Sequence, residues 1–423
     1  MAENTKEKII SAVFSFYRDG KIKKISLSKI AAEVGISKAA IFRHFSNREE
    51  LEDTLLQTVY DRFACMVTAV QGMLSRGESS SVLPFIIETL CRHTEYINYL
   101  RSTSPDFSLD TFVFEGKKRG VSMFDSVFAP DGSVQNKRFY YTAVFVCVEL
   151  LEFVYIWNFY REESNDVAYY SKRSAEFIHS GLFKRGSLLS DSRMQSLEQG
   201  CLTCVMNARG VDAKLAAVSA VVAKKGYAEL TMDSIAAELG MAKSSFYSIY
   251  KNKEDMILSL LESEFSEFGR ILALALRDTE TFDECIFSIV CTTTIYFFKR
   301  SEILEACKWI EFQRVDGNDG DNRLREIFNS PEHVSFKKIL FAKKDSFEFP
   351  ACLSESHKEL ARDLILSTAF GEPLMFLAHG IRHGFPLEFY SEIVRAIYKM
   401  LMTGVVSYTK DGNIFSYGKK EEF

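Results

Sequence analysis

The sequence predicts an all-α protein made of two tandem units, and three observations lead to this fold class. Apolar residues recur three or four positions apart over long segments, which is the spacing of buried helix faces. The chain of 423 residues contains only 7 prolines. The segment 26–51 occurs a second time as 231–256, without a gap, and eight positions are identical. An ungapped internal repeat of this kind indicates that one structural unit is present twice.

The first part of the repeated segment predicts a short helix that ends in a tight turn. Ser26 is suited to the N-cap, because its side-chain oxygen can accept a hydrogen bond from a free helix N–H. Apolar residues at Ile30, Ala31 and Val34 then form one stripe. Gly35 follows, and glycine tolerates the left-handed conformation that ends many helices. The turn glycine recurs as Gly240, which lies 205 positions later.

The second part predicts a short helix and the start of a longer one. Ser37 caps the short helix, and we expect Phe42 and Phe45 to anchor it to a core. Asn47 with Glu50 three residues later is the pattern of a capping box. Helix, glycine turn and short helix together form a helix-turn-helix, whose second helix fits the major groove of B-DNA.

Amphipathic segments on either side complete each head and its helical body. Residues 5–20 place Ile9, Ala12, Val13 and Phe16 on one stripe, and residues 212–226 repeat this helix. We expect further helices at 47–73, 82–100, 112–128, 139–160, 167–182, 360–381 and 387–402. The resulting domains are a first head at 1–50, a first body at 51–183, a linker at 184–208, a second head at 209–256 and a second body at 257–423.

The segment 139–160 is the most apolar run and is long enough to raise the question of a membrane span. Glu149 and Glu152 lie inside it, one helical turn apart, which favours a buried interface helix and no membrane. The first residues, MAENTKEK, lack an apolar secretion signal. We therefore expect a cytoplasmic protein whose nine cysteines are reduced.

The charge of the chain is divided between heads and bodies. The whole chain has a formal net charge of −5, whereas residues 1–50 carry +4 and residues 207–256 carry +1. The bodies therefore hold the negative charge, which is the polarity that phosphate binding needs. A chance distribution is the alternative explanation of this modest separation.

The sequence offers little support for an enzyme or a metal protein. It contains no Gly-rich phosphate loop, nucleophile elbow or His/Asp/Cys cluster. Cys201 and Cys204 form a single CxxC without the second pair that a zinc site needs. His379 and His383 lie one helical turn apart, but no third ligand is apparent, so an ordinary helix face is favoured. We expect no catalytic residues, no metal and no cofactor.

Both heads resemble the TetR family of bacterial transcription regulators over about 50 residues each. The first match consists of Ser26, Ile30-Ala31, Gly35-Ile36-Ser37-Lys38, Phe42, Phe45, Arg48-Glu49 and Leu51. The second consists of Thr231, Ile235-Ala236, Gly240-Met241, Lys243, Phe246-Tyr247, Tyr250 and Lys253-Glu254. The resemblance implies a head that reads DNA and a body that dimerises and holds a small effector. Since family members are homodimers with one head per chain, two heads in one chain imply a monomer folded as a pseudo-dimer.

In the first head we expect DNA contacts from the second helix and its neighbours. Arg43 is suited to read guanine through two hydrogen bonds, although a solvated or phosphate-bound arginine is an equal alternative. Ser37 and Arg48 match family positions that touch phosphate. The expected contact residues of this head are Ser26, Ser37, Lys38, Ala39, Phe42, Arg43, His44 and Arg48.

The second head departs from the first at its contact positions. Ala242 replaces the Ser37 cap, and Ser248 and Ile249 replace Arg43 and His44. Tyr247 adds a hydroxyl at a position where the family uses tyrosine on phosphate. The expected contact residues are Thr231, Lys243, Ser244, Ser245, Tyr247, Ser248 and Lys253. These differences predict an asymmetric operator of double-stranded DNA with two different half-sites. A more specific form of this hypothesis is that the second head contacts only the DNA backbone.

The resulting hypothesis is a sequence-specific DNA-binding transcription regulator. The resemblance implies a repressor that a small apolar or aromatic effector releases from DNA. The alternative is an interaction or sensor protein of the same fold in which the second head has weakened DNA binding. Body aromatics such as Tyr96, Tyr99, Phe107, Trp157 and Trp309 are expected mainly in the cores.

Overall fold

A computed structural model shows that every regular element of the described residues is a helix. The structure describes residues 5–18, 25–103, 109–121, 136–160, 166–181, 188–226, 229–304, 306, 331–343, 365–366, 368–377 and 387–409. The chain divides into two compact units. The first comprises Met1–Gly181, Ala351–Leu364 and Gly404–Phe423, and the second comprises Leu182–Pro350 and Ile365–Thr403. The predicted all-α class is confirmed.

The first unit begins with a three-helix head and continues into a body of longer helices. The head contains α1 (Thr5–Tyr17), α2 (Leu27–Val34) and α3 (Lys38–Ile41). The body contains α4 (Arg48–Ser75), α5 (Ser79–Arg92), α6 (Thr94–Thr103), α7 (Leu109–Lys118), α8 (Lys137–Tyr160) and α9 (Val167–Ser180).

Helix α1 is buried on two faces, because it packs on α2 of the head and on α6 of the body. The predicted stripe of Ile9, Ala12 and Val13 is buried, but Phe16 is only half-buried. The ring of Phe14 instead meets Tyr96 and Tyr99 of α6 edge-on, with centroids 4.8 and 5.4 Å apart. A single helical stripe could not reveal this second face, which depends on a helix some 80 residues away in the sequence.

The side chains of α6 also hold the end of α1. Thr94 donates a hydrogen bond to the carbonyl of Arg18 at 2.8 Å, and Asn98 donates to the carbonyl of Tyr17 at 2.9 Å. These contacts satisfy carbonyls that a helix end leaves without intrahelical partners. The first head is therefore fixed to its own body by polar as well as aromatic contacts.

The first body differs from the sequence expectation at one helix and agrees at another. The helix expected at 82–100 is two helices, α5 and α6, separated at His93, which has φ −126° and ψ 46°. Among the described residues, one helix is long and apolar enough to cross a membrane, and it covers 137–158 of α8. Of that stretch, 76% is buried, and Glu149 is inaccessible to solvent. Such burial is typical of a core helix, as expected.

The helices of the second unit start within the segment predicted as a linker. They are α10 (Asp191–Met206), α11 (Ala213–Lys225), α12 (Met232–Glu238), α13 (Lys243–Tyr247), α14 (Lys253–Ala275), α15 (Phe282–Phe298), α16 (Pro331–Ala342) and the part of α17 (Leu387–Thr409) before its break at Gly404. Residues 368–377 are also helical. Helices α11 to α13 form the second head.

Helix α10 occupies most of the predicted linker 184–208 and is a packed part of the second unit. Its apolar face, Met194, Leu197, Cys201 and Val205, is buried. Arg193 donates to both carboxylate oxygens of Glu284 at 2.6 and 2.8 Å, and these bonds tie α10 to α15. The segment expected to link the two units therefore holds a regular helix, in line with the apolar residues Met194, Leu197 and Val205 in its sequence.

The loop between α10 and the second head is held by a buried charge cluster. Arg209 donates to Glu264 of α14 at 3.3 Å, and Arg300 lies 3.5 Å from the same carboxylate. Glu264 and Arg300 are 1% and 6% exposed, and burial raises the pKa of Glu264 despite the two arginines. The stacking of Arg300 on Tyr296, at 4.5 Å, completes the cluster.

Several sequence expectations lie outside the described residues. These are His379, His383, Phe107, Trp309 and residues 122–128 of the helix expected at 112–128.

Candidate nucleic-acid interface

The turn of the first head has the geometry that its sequence predicts. Ser26 is the N-cap of α2, with φ −77° and ψ 147°, and its side chain accepts from the N–H of Lys29 at 3.2 Å. Gly35 is left-handed, with φ 74° and ψ 32°. The next N–H, that of Ile36, returns to the carbonyl of Ala31 at 2.9 Å. This pattern closes α2 and turns the chain sharply toward α3.

The recognition helix of the first head, α3, is a single turn. Ser37 caps it by accepting from the N–H of Ala40 at 3.1 Å. Ile41 and Phe45, each 1% exposed, anchor the segment from below. Phe42 is 41% exposed, so the expectation that it anchors the helix to the core is wrong. Phe42 follows the buried Ile41 directly and faces solvent, as its equivalent Tyr247 does next to the buried Phe246 in the second head.

The residues expected to contact DNA form an accessible face on and after α3. Lys38, Ala39, Phe42 and Arg43 are exposed, and His44 is half-buried. Arg43 and His44 lie in the turns after α3, where their N–H groups bond to the carbonyls of Ala40 and Ile41. The first head therefore holds a lysine and an arginine outward on a segment whose backbone is fixed by caps and turns.

The start of α4 uses a variant of the predicted capping box. Asn47 caps α4 by accepting from the N–H of Glu50 at 2.8 Å. The carboxylate of Glu50 bonds to the N–H of Ser46 at 2.6 Å, one residue before the position that a capping box uses. Hydrogen bonds from Ser46 lower the pKa of Glu50. Arg48 is exposed and pairs with Glu52 at 2.7 Å.

The second head repeats the turn of the first with different chemistry at its caps. Thr231 accepts from the N–H of Ser234 at 3.1 Å, and the Ser234 hydroxyl accepts from the N–H of Thr231 at 2.9 Å. This reciprocal pair is a capping box that the sequence analysis missed, since it uses serine in place of glutamate. Gly240 is left-handed with φ 64°.

Helix α13 of the second head lacks the side-chain cap of α3, as the sequence predicts. Ala242 has φ −68° and ψ 137°, close to the backbone of Ser37, but it makes no side-chain cap. Phe246, 1% exposed, is the buried anchor at the position equivalent to Ile41. The segment is thus positioned as in the first head with one hydrogen bond less.

Lys243, the equivalent of Lys38, is engaged by an acidic residue of its own head. Its ammonium lies 2.6 Å from the Asp233 carboxylate, and this hydrogen bond raises the pKa of Lys243. The same ammonium lies 5.8 Å from the centre of the Tyr247 ring. In the first head the position of Asp233 is Ser28, 205 residues earlier. A charge that is exposed in the first head is therefore partly neutralised in the second.

Lys253, the equivalent of Arg48, folds back onto the head. Its ammonium donates to the carbonyl of Leu230 at 2.6 Å. The side chain is half-buried, and this burial lowers the pKa of Lys253. Arg48, by contrast, is exposed at the start of α4. The structure thus gives the predicted phosphate-contact residue Lys253 an internal partner.

The remaining expected contact residues of the second head present little charge. Ser244 and Tyr247 are exposed and Ser245 is half-buried. Ser248, at the position of Arg43, donates its hydroxyl to the carbonyl of Ser245 at 2.8 Å. Three large apolar side chains are exposed on this head, namely Met241 at 40%, Tyr247 at 51% and Ile249 at 62%.

The CxxC pair does not form a metal centre in the described part of the chain. Cys201 is buried on α10 and its thiol faces the carbonyl of Ser288 at 3.7 Å. Cys204, one turn on, is half-buried. Among the described residues there is no group of three or more His, Cys, Asp or Glu that could hold a metal ion.

One protein-family model matches both heads. A family model described as "Bacterial regulatory proteins, tetR family" matches residues 22–53 and 215–260. Among solved structures, the chain is similar to the transcriptional regulator FadR from Bacillus subtilis in complex with stearoyl-CoA. The sequence identity is 16%, the TM-score is 0.37, and the match covers 45% of this chain and 97% of that chain. The fatty acid degradation regulator FadR from Bacillus halodurans gives 16% identity, a TM-score of 0.34 and coverage of 46% and 96%.

Proposed function

We propose that the chain is a transcription regulator of the TetR family that binds one operator with both heads of a single polypeptide, because the family model matches both heads. The observation that carries the proposal is the repeat itself. Gly35 and Gly240 adopt the same left-handed turn 205 residues apart, and each is followed by a short helix held from below by a buried apolar side chain. Each head is thus complete by itself.

In this proposal the first head reads bases. Arg43 is exposed beyond α3, and an arginine donates two hydrogen bonds to the O6 and N7 of guanine in the major groove. Lys38 and Arg48 supply phosphate contacts on either side of it, which position the head without reading sequence. The net charge of +4 on residues 1–50 favours this approach to the duplex.

The two heads are proposed to act as the two subunits of an ordinary dimer would. Half-sites of such a clamp lie about one turn of DNA apart, roughly 34 Å. Because Arg43 and His44 are replaced by Ser248 and Ile249, the two half-sites differ in sequence and the operator is asymmetric. The output is proposed to be repression, because a protein held on an operator blocks access to it.

The proposal includes a small apolar effector that releases the protein from DNA. The aromatic side chains of the bodies are suited to bind such a ligand. A cleft of about 380 Å³ between α10 and α14 does not match such a ligand. Its lining includes three charged residues, Arg270, Arg277 and Asp278. An apolar ligand would leave these groups without compensation for lost water.

Selection from random duplex DNA, followed by footprinting of the selected site, tests the proposal. We expect one two-part site with unequal halves. Arg43→Ala should relax the preference at one guanine by about 5- to 150-fold, the range of one bidentate contact. Arg92→Ala removes an equally exposed arginine from the body and should leave the selected site unchanged. Failure to select any sequence would refute the proposal.

A second candidate function is an interaction or sensor protein whose second head no longer binds DNA. Three observations favour it: the pairing of Lys243 with Asp233, the bond from Lys253 to Leu230, and the loss of arginine at position 248. Under this alternative the footprint covers one half-site only. Protection of two half-sites by wild-type protein would exclude it.

A further inference from the structure

We propose that the second head reads its half-site through the methyl groups of thymine, with Ile249 as the residue that determines specificity. This inference rests on the proposed DNA-binding function and adds the chemistry of the second half-site. It begins from what the second recognition segment, residues 241–249, exposes. The segment carries the three large exposed apolar side chains Met241, Tyr247 and Ile249.

Polar side chains of this segment make an ion pair and a hydrogen bond within the head. The Lys243 ammonium is paired with Asp233 at 2.6 Å, and the Ser248 hydroxyl donates to the carbonyl of Ser245 at 2.8 Å. Neither position equivalent to Arg43 or His44 carries a nitrogen donor. The second head therefore lacks the two-donor arrangement that recognises guanine.

The exposed apolar side chains are concentrated where base contacts are expected. Six large apolar side chains are exposed among the described residues, and four of them lie on the two recognition segments. In the first head the only one is Phe42, whereas the second has three within nine residues. Ile249 is the most exposed of the six, and it takes the position of the polar His44.

Thymine supplies the matching chemistry. Its C5-methyl group is the apolar feature that base edges display in the major groove, and apolar side chains contact it there. Isoleucine neither donates nor accepts hydrogen bonds, so its contact separates thymine from cytosine by the methyl group alone. Tyr247, two residues earlier and 51% exposed, adds an aromatic ring and a hydroxyl to the same segment.

A protein partner is the competing occupant of the same apolar surface, and the observations favour DNA. The second head keeps the left-handed Gly240, the capping box of Thr231 and Ser234, and the anchor Phe246, which together hold the segment outward as in the first head. Its residues 215–260 also match the DNA-binding family model.

Replacement of thymine by deoxyuridine in the selected duplex tests the inference, because it removes the methyl group and keeps every hydrogen bond of the base pair. The half-site that loses guanine preference with Arg43→Ala is assigned to the first head, and the other half-site to the second. In the second half-site, deoxyuridine should weaken wild-type binding about fourfold for each contacted methyl. Binding by Ile249→Ala should be weaker and no longer sensitive to that base.

The matched controls are deoxyuridine outside the two half-sites and Tyr169→Ala, which removes an exposed aromatic ring from the first body. Both should change the affinity less than twofold. If both half-sites are protected but deoxyuridine in the second has no effect, the inference is refuted and the proposed function stands. A footprint restricted to the first half-site would also refute the inference and would favour a protein partner for the apolar surface. If no sequence is selected at all, the proposed function itself fails.

Discussion

The ion pair between Lys243 and Asp233 should weaken the attraction of the second head to phosphate, and replacing Asp233 should remove this difference between the heads. Asp233→Ser gives the second head the residue that the first has at Ser28. The ammonium and carboxylate are 2.6 Å apart, and their side chains are 60% and 55% exposed. Removing the carboxylate therefore frees a lysine that already lies at the surface, and folding stability should change little.

The magnitude follows from counterion release. Log affinity falls as log salt concentration rises, and each phosphate that a protein neutralises makes this slope steeper by about 0.9. If the freed Lys243 gains one phosphate contact, Asp233→Ser should bind more tightly than wild type at 50 mM salt. Its advantage should shrink about 3.5-fold when the salt concentration rises to 200 mM. Fluorescence anisotropy with the selected duplex at several salt concentrations measures both quantities.

The reciprocal variant and a control make the test sharper. Ser28→Asp places a carboxylate at the equivalent position of the first head. This variant should make the salt dependence of binding shallower by about 0.9 in slope. A carboxylate in the first turn of α2 is favourable for the helix, so the variant should fold. Glu238→Gln removes a carboxylate that pairs with Lys224 at 2.6 Å in the same head, outside the recognition segment. An Asp233→Ser slope equal to that of wild type, or to that of Glu238→Gln, would refute the reasoning.

Three further predictions concern stability. Ala242→Ser should restore the missing cap and stabilise α13 by about 1 kcal/mol. Hydrogen exchange of the first amides of α13 should then be roughly fivefold slower. Ser37→Ala should destabilise α3 by a similar amount and speed the exchange of its first amides. Phe246→Ala should destabilise the second head by about 3–5 kcal/mol, measured by urea unfolding, because it empties a site that is 1% exposed. Arg193→Ala should destabilise the second unit by about 2 kcal/mol, because it removes two charge-assisted hydrogen bonds to Glu284. Those bonds lower the pKa of Glu284, so wild-type protein should lose their contribution as pH falls below the ordinary carboxyl range, and the variant should lose less over the same range.

The parts of the fold that follow from local chemistry could be predicted from the sequence. Ser26, Ser37 and Asn47 cap helices as expected, and Gly35 is left-handed. Each of these depends on hydrogen bonds within three or four residues or on the freedom of a glycine. The missing cap at Ala242 could be predicted for the same reason.

Features that depend on distant contacts could not be predicted from spacing alone. The burial of Phe14 depends on rings of α6, and the bond from Lys253 to Leu230 joins residues 23 positions apart. Which of the neighbouring apolar residues Ile41 and Phe42 is buried also depends on how the short helix α3 packs, and the structure buries Ile41 and exposes Phe42.

Two features of the second unit have signals in the sequence. Helix α10 follows the N-cap Ser190, and its buried residues Met194, Leu197, Cys201 and Val205 lie at helical spacing. The substitution of Ser28 by Asp233 changes the charge of the second head next to its recognition helix, and it indicates that Lys243 has a partner.

The stoichiometry of the DNA complex tests the central claim that one chain supplies both heads. Light scattering of the purified complex with the selected duplex measures its molar mass directly. The account predicts the mass of one 48.2 kDa chain plus one duplex. A complex of two chains on one duplex would contradict it, because each operator half would then be read by a separate polypeptide.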